Sequence, residues 1–120
     1  MSHVLLVEDN PEVLVVLCDL LTGYGYTCSF VSDGKGAFAA LDKGGVDVVV
    51  TDVRLPGRIS GIEVAERTRA AGIGCVAITG HYEAMTDLEK GRHCIWLSKP
   101  FRGSQLADAV AAAIQSIGEN

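Results

Sequence analysis

Three carboxylates, a hydroxyl and an ammonium stand where four apolar runs end. Glu8 and Asp9 follow Val4-Leu5-Leu6-Val7, and Asp52 follows Val48-Val49-Val50-Thr51. Thr79 closes Cys75-Val76-Ala77-Ile78, and Lys99 follows Cys94-Ile95-Trp96-Leu97-Ser98, with Pro100 next. Three carboxylates brought together repel, which raises their pKa values or weakens the fold. A hard divalent cation removes the conflict, and Mg2+ favours one or two carboxylates, a carbonyl, waters and a phosphate oxygen. Asp9 and Asp52 suit direct ligation, with Glu8 in support. Lys99 adds positive charge from another side, and Thr79 offers a donor. Such a set suits a phosphoryl group whose oxygens need compensation, with a carboxylate as nucleophile. Taken singly, each acid is more simply explained as a helix or loop cap. The five positions together, each at the end of a run, point to chemistry.

The segments that must position these groups alternate in type. Residues 4–7 read as a buried strand. Asn10-Pro11-Glu12 then opens a helix with a cap, a proline at the first helical position and an acid in the first turn. Val13, Leu14, Leu17, Leu20 and Leu21 keep helical spacing until Gly23 and Gly25. Strands are expected at 26–31, 46–51, 75–79 and 94–98, and helices at 34–43, 61–71, 82–90 and 104–117. Inward positions are Ala37, Phe38 and Leu41, then Ile62, Ala65 and Thr68 or Arg69, then Leu106, Val110, Ile114 and Ile117. Five strands alternating with five helices, several strands apolar throughout, predict an α/β fold. The expectation is a doubly wound five-stranded parallel sheet in the order 2-1-3-4-5, as one domain over residues 1–120. In such sheets ligands bind beyond the carboxyl ends of the strands, near the order reversal.

Composition removes other classes. The 120 residues are 48% apolar and 21% charged, an ordinary globular balance. A net charge of −5 with no basic patch argues against nucleic-acid binding by this domain. The longest apolar runs, 13–18 and 109–114, hold six residues each. A membrane span needs about 20. The first residues meet Glu8 and Asp9 too soon for a signal peptide, so a cytoplasmic location is expected. Cys18, Cys28, Cys75 and Cys94 are separated by 10, 47 and 19 positions, which is no zinc spacing. They read as small buried hydrophobes in a reducing compartment.

Across its whole length the chain resembles the receiver domain of two-component response regulators, a CheY-like fold. The markers are Val7-Glu8-Asp9, Thr51-Asp52-Val53-Arg54-Leu55-Pro56-Gly57, Ala77-Ile78-Thr79-Gly80 and Lys99-Pro100-Phe101. The resemblance implies that Asp52 takes a phosphoryl group from the phosphohistidine of a histidine kinase or phosphotransfer protein, or from acetyl phosphate. It implies Mg2+ held by Glu8, Asp9, Asp52 and the backbone carbonyl of Arg54, with Thr79 and Lys99 on phosphoryl oxygens. It further implies a cis peptide before Pro100 and a switch through Thr79 and Trp96. That switch reshapes the face of the last strand and the last two helices for a downstream protein target. The domain is then no turnover enzyme, though it assists its own phosphorylation and hydrolysis. It acts as a monomer or a phosphorylation-dependent dimer, alone or as part of a longer regulator or hybrid kinase. Arg54 and His81, two positions beyond Asp52 and Thr79, are expected to tune the phosphoryl lifetime.

Some features depart from the family pattern. Pro56 to Gly61 spans five positions, one more than the common receiver loop and similar to receivers of hybrid kinases. Thr79 to Lys99 spans 20, which is short, and Trp96 is bulkier than the usual Tyr or Phe. Rival readings are three. Gly34-Lys35-Gly36-Ala37-Phe38-Ala39 fits a dinucleotide-binding G-x-G-x-x-A, but after the second strand rather than the first. A haloacid-dehalogenase-type phosphatase would want an acid where Arg54 stands. A degenerate receiver would bind partners without phosphorylation.

Overall fold

A computed structural model describes residues 2–80, 85 and 94–118. The elements are β1 (His3–Val7), α1 (Pro11–Gly23), β2 (Thr27–Val31), α2 (Gly34–Lys43), β3 (Val48–Asp52), α3 (Gly61–Ala70), β4 (Gly74–Thr79), β5 (Ile95–Ser98) and α4 (Gly103–Gly118). All strand pairs are parallel, in the order β2-β1-β3-β4-β5. The expected helix at 82–90 and His81 lie outside the described residues.

α1, α2 and α3 each start where the sequence supplies an acceptor for free backbone donors. Asn10 Oδ1 accepts from the Glu12 N–H at 3.0 Å, Asp33 Oδ1 from Gly36 at 2.8 Å, and Ser60 Oγ from Glu63 at 3.2 Å. The strands alternate their side chains between two cores, as a sheet covered on both faces requires. Val4, Leu6, Val48, Val50, Val76 and Ile78 pack with Leu17 and Leu21 of α1 and Leu106 and Val110 of α4. Leu5, Val7 and Val49 pack on the other face with Ala37 of α2 and Val64 of α3. Among the described residues no helix is long and apolar enough to cross a membrane.

Three expectations need correction. The third strand runs over Val48–Asp52 rather than 46–51. Asp47 precedes it and turns its Oδ2 to the His3 N–H at 2.7 Å, while Asp52 still pairs with Ile78. Asp52 is thus the last residue of the strand, held by the sheet ladder, as its place at the end of the run suggested. The cysteines are not all buried: Cys75 is, whereas Cys18, Cys28 and Cys94 are half-buried. Burial nonetheless pushes the Cys75 thiol up to about 12 and the Cys28 and Cys94 thiols up to about 11. The inward set of α3 includes Val64, while Ile62 is only half-buried and Arg69 is exposed.

Candidate functional site

Strand register brings the chemical residues level. Val7 pairs with Thr51, so Glu8 follows β1 at the height where Asp52 ends β3. Asp52 pairs with Ile78, which puts Thr79 one step further on β4, and Thr79 pairs with Ser98. The Lys99 N–H donates to the Thr79 carbonyl at 2.9 Å and carries the ladder one residue past β5. The Lys99–Pro100 peptide bond is cis. Neighbouring parallel strands lie roughly 4.8 Å apart. Residues on adjacent strand ends at one height therefore meet.

The three acids do meet. One carboxylate oxygen from each of Glu8, Asp9 and Asp52 lies within 4.8 Å of the others. Glu8 is 7% exposed, Asp52 is partly buried and Asp9 is exposed. Glu8 Oε1 accepts the Asn10 N–H at 3.1 Å, so this acid both braces the turn into α1 and faces its fellow carboxylates. Burial raises the Glu8 pKa above its ordinary value of 4.5, and the charge of Asp52 and a contact with Asp9 push the same way. The Asn10 N–H and the Lys99 charge pull against this. Lys99 Nζ stands 3.5 Å from Asp52 Oδ2, with its side chain 45% exposed. A pair that long and that open contributes little to stability. The three carboxylates thus carry more negative charge than the Lys99 ammonium alone offsets. Oxygen donors at this spacing fit a hard cation such as Mg2+.

Beside the acids lies a cavity of about 180 Å³ lined by Asp52, Val53, Arg54, Thr79, Gly80 and Lys99. It pairs a carboxylate with an ammonium and a hydroxyl around a space suited to a small anion. Thr79 is buried and Arg54 exposed. Trp96 is half-buried and stands opposite Ala77 in the sheet, two positions before Ser98. By strand alternation Trp96 and Thr79 share one sheet face. Glu8, Asp9, Asp52, Thr79 and Lys99 therefore converge as the run ends suggested, with Arg54 at the rim. Val53 and Gly80 also line the space, and only their adjacency to named residues could have signalled it.

Two glycines seat the loop between β3 and α3. A Cβ at Gly61 would fall on the Asp52 carbonyl oxygen and stand 2.7 Å from Val53 Cα. That absence lets the Gly61 N–H reach the Val53 carbonyl at 2.9 Å. A Cβ at Gly34 would stand 2.5 Å from Ile59 Cβ. The glycines of the G-x-G-x-x-A stretch are thus accounted for by packing: Gly34 admits Ile59, and Gly36 lies close to Val31 and its cap Asp33.

Comparison with known proteins agrees with this geometry. The sequence profile of the response regulator receiver domain family matches residues 4–111. The chain is 30% identical over 124 aligned residues to the sensory transduction protein RegX3 of Mycobacterium bovis, covering all of this chain and 54% of that protein. It spans about half or less of the length of the curated relatives it matches. A response regulator receiver protein from Sinorhizobium medicae superposes with a TM-score of 0.88 at 30% identity, covering 97% of this chain and 96% of that one. The receiver domain of the sensor histidine kinase PA1611 from Pseudomonas aeruginosa gives 0.81 at 27% identity, with 95% and 98% covered. That receiver holds a magnesium ion coordinated in its active site cleft.

Proposed function

The chain belongs to the response regulator receiver domain family, and on that premise we propose that Asp52 is its phosphoryl acceptor. The donor is the phosphohistidine of a histidine kinase or phosphotransfer protein, or a small acyl phosphate. The observation that carries this reading is the meeting of the Glu8, Asp9 and Asp52 carboxylates within 4.8 Å, with Lys99 Nζ 3.5 Å from Asp52.

An Asp52 carboxylate oxygen attacks phosphorus in line with the donor nitrogen. The new O–P bond forms as the P–N bond breaks, and the leaving imidazole keeps the bonding pair and takes up a proton. Glu8, Asp9, Asp52 and the Arg54 carbonyl would hold Mg2+, a reading supported by the meeting of the three carboxylates and by the magnesium found in the PA1611 cleft. Bound Mg2+ supplies compensation for charge on the transferring oxygens. Lys99 supplies a second positive charge, and the Thr79 hydroxyl donates to a phosphoryl oxygen. Sheet hydrogen bonds keep Asp52, Thr79 and Lys99 aimed at one space, so little reorganisation is needed when charge develops.

Phosphorylation adds a group of about −2 charge beside Asp52. Thr79 is drawn toward it, Trp96 turns inward on the same sheet face, and the surface of β5 and α4 changes for a downstream protein. Arg54, exposed at the rim, governs access of the hydrolytic water. The domain acts in the cytoplasm and stoichiometrically. It assists its own phosphorylation and hydrolysis without being a turnover enzyme. With all five chemical residues around one site, the degenerate reading has no observation in its favour.

Mass spectrometry after incubation with acetyl phosphate and Mg2+ tests the proposal. The wild type should gain one phosphate, and Asp52→Asn none. An adduct of equal yield on both proteins would overturn the assignment.

A further inference from the structure

The loop between β3 and α3 runs over residues 53–60. Between Val53 and Gly61, Arg54, Pro56, Gly57 and Arg58 are exposed, while Leu55 and Ile59 turn toward the core. The loop's ends are tied by the Gly61 N–H on the Val53 carbonyl. Its middle reaches another segment at Gly34, the first residue of α2. There a methyl group would collide with the Ile59 side chain and stand 3.0 Å from the Ile59 carbonyl oxygen. Gly34 is buried, so the notch is filled and not merely open.

We infer that Ile59 is a positioning residue for the acid site. Seated in the notch left by Gly34, it pins the β3–α3 loop and so sets where that loop's backbone, Arg54 included, stands beside Asp52. The inference rests on the Mg2+-assisted reading above and deepens it. It assigns to the corner of β2 and α2, which holds none of the proposed chemical groups, control over metal affinity. A close-packed contact transmits displacement because interiors have little spare volume. A methyl at Gly34 pushes Ile59 and its loop outward, whereas shortening Ile59 gives back the space.

The test is a cycle of Gly34→Ala, Ile59→Ala and the double variant, with Mg2+ affinity measured by titration calorimetry. Gly36→Ala is the control, since the nearest atoms a Cβ there would meet belong to Asp33 and Val31 of its own corner. Gly34→Ala should weaken Mg2+ binding about tenfold, the size seen when a supporting group of a metal site is lost. The double variant should recover most of that loss. Gly36→Ala should lower the melting temperature with Mg2+ affinity unchanged. Wild-type affinity in Gly34→Ala, no recovery in the double variant, or equal weakening by Gly36→Ala would each overturn the positioning role. Should circular dichroism show Gly34→Ala unfolded, Ile59→Val takes its place: weaker Mg2+ binding supports the inference and unchanged binding overturns it. A wild type that binds no Mg2+ would instead sink the reading beneath it.

Discussion

Two hollows in this molecule differ in a way that locates its chemistry. The larger, about 590 Å³, runs beside the edge strand β2 and is lined by Leu5, Val31 and Val46 with small residues of α2. The smaller, about 180 Å³, sits at the carboxyl ends of β3, β4 and β5. In the large groove the His3 ring is already matched: its nitrogens share hydrogen bonds with Thr27 Oγ1 at 2.7 Å and Ser29 Oγ at 2.9 Å. Beside the small cleft like charges crowd: Glu8, Asp9 and Asp52 bring carboxylate oxygens within 4.8 Å of one another, with Lys99 Nζ 3.5 Å from Asp52. Crowded like charge, and not volume, singles out the cleft as the candidate site.

The two lysines of these hollows give the sharpest way to break that contrast. Lys99→Ala should slow phosphorylation by acetyl phosphate about 100-fold, the cost of removing one preorganised charge-stabilising donor. Lys43→Ala, in the groove, should leave the rate unchanged, as followed by mass spectrometry. Equal slowing by both would erase the distinction. Next in size is the response to metal. Mg2+ at 100 times its Kd should stabilise the wild type by about 2.7 kcal/mol. Scanning calorimetry should find that gain much reduced in Asp9→Asn. His3→Ala should cost roughly 1–2 kcal/mol through its two lost hydrogen bonds while Mg2+ affinity holds.

The smallest effect is a pH dependence in metal-free buffer. Glu8 titrates above its ordinary 4.5 in the folded chain, so the native state holds that proton more tightly than the unfolded one. Its contribution to stability is greatest below the unfolded value and is lost as pH rises through the raised folded value. Glu8→Gln lacks this loss. Denaturant midpoints of the two proteins should therefore draw apart in favour of Glu8→Gln across that window and run parallel above it. A gap that opens in the opposite direction would mean that Glu8 is stabilised as an anion.

Much of this was legible in the residues. Unbroken apolar runs between helix-period segments gave away a parallel sheet covered on both sides, and the residue after each run gave away the site. Register was not legible, because apolar valines at 48, 49 and 50 pair equally well in several alignments. Only the pairing of Val7 with Thr51 shows why Glu8 and Asp52 meet. Burial along α1 was legible only through its period: Val15 and Val16 sit in the apolar run at 13–18 yet are 60% and 62% exposed. The half-burial of Cys28 follows from its place on an edge strand with one neighbour. Gly34 and Gly36 looked like a phosphate-binding turn because close approach demands glycine whatever approaches, and here it is Ile59, Asp33 and Val31.

The ladder pairing of Asp52 with Ile78 divides the chain into stretches of opposite tolerance to length change. Insert one residue within β3 and alternation turns the Asp52 carboxylate to the other face of the sheet, away from the Lys99 ammonium. Insert one at the exposed tip Pro56-Gly57-Arg58, ahead of Ile59, and the extra backbone bulges into solvent. Length change is thus borne at that tip and not within the strand beneath it.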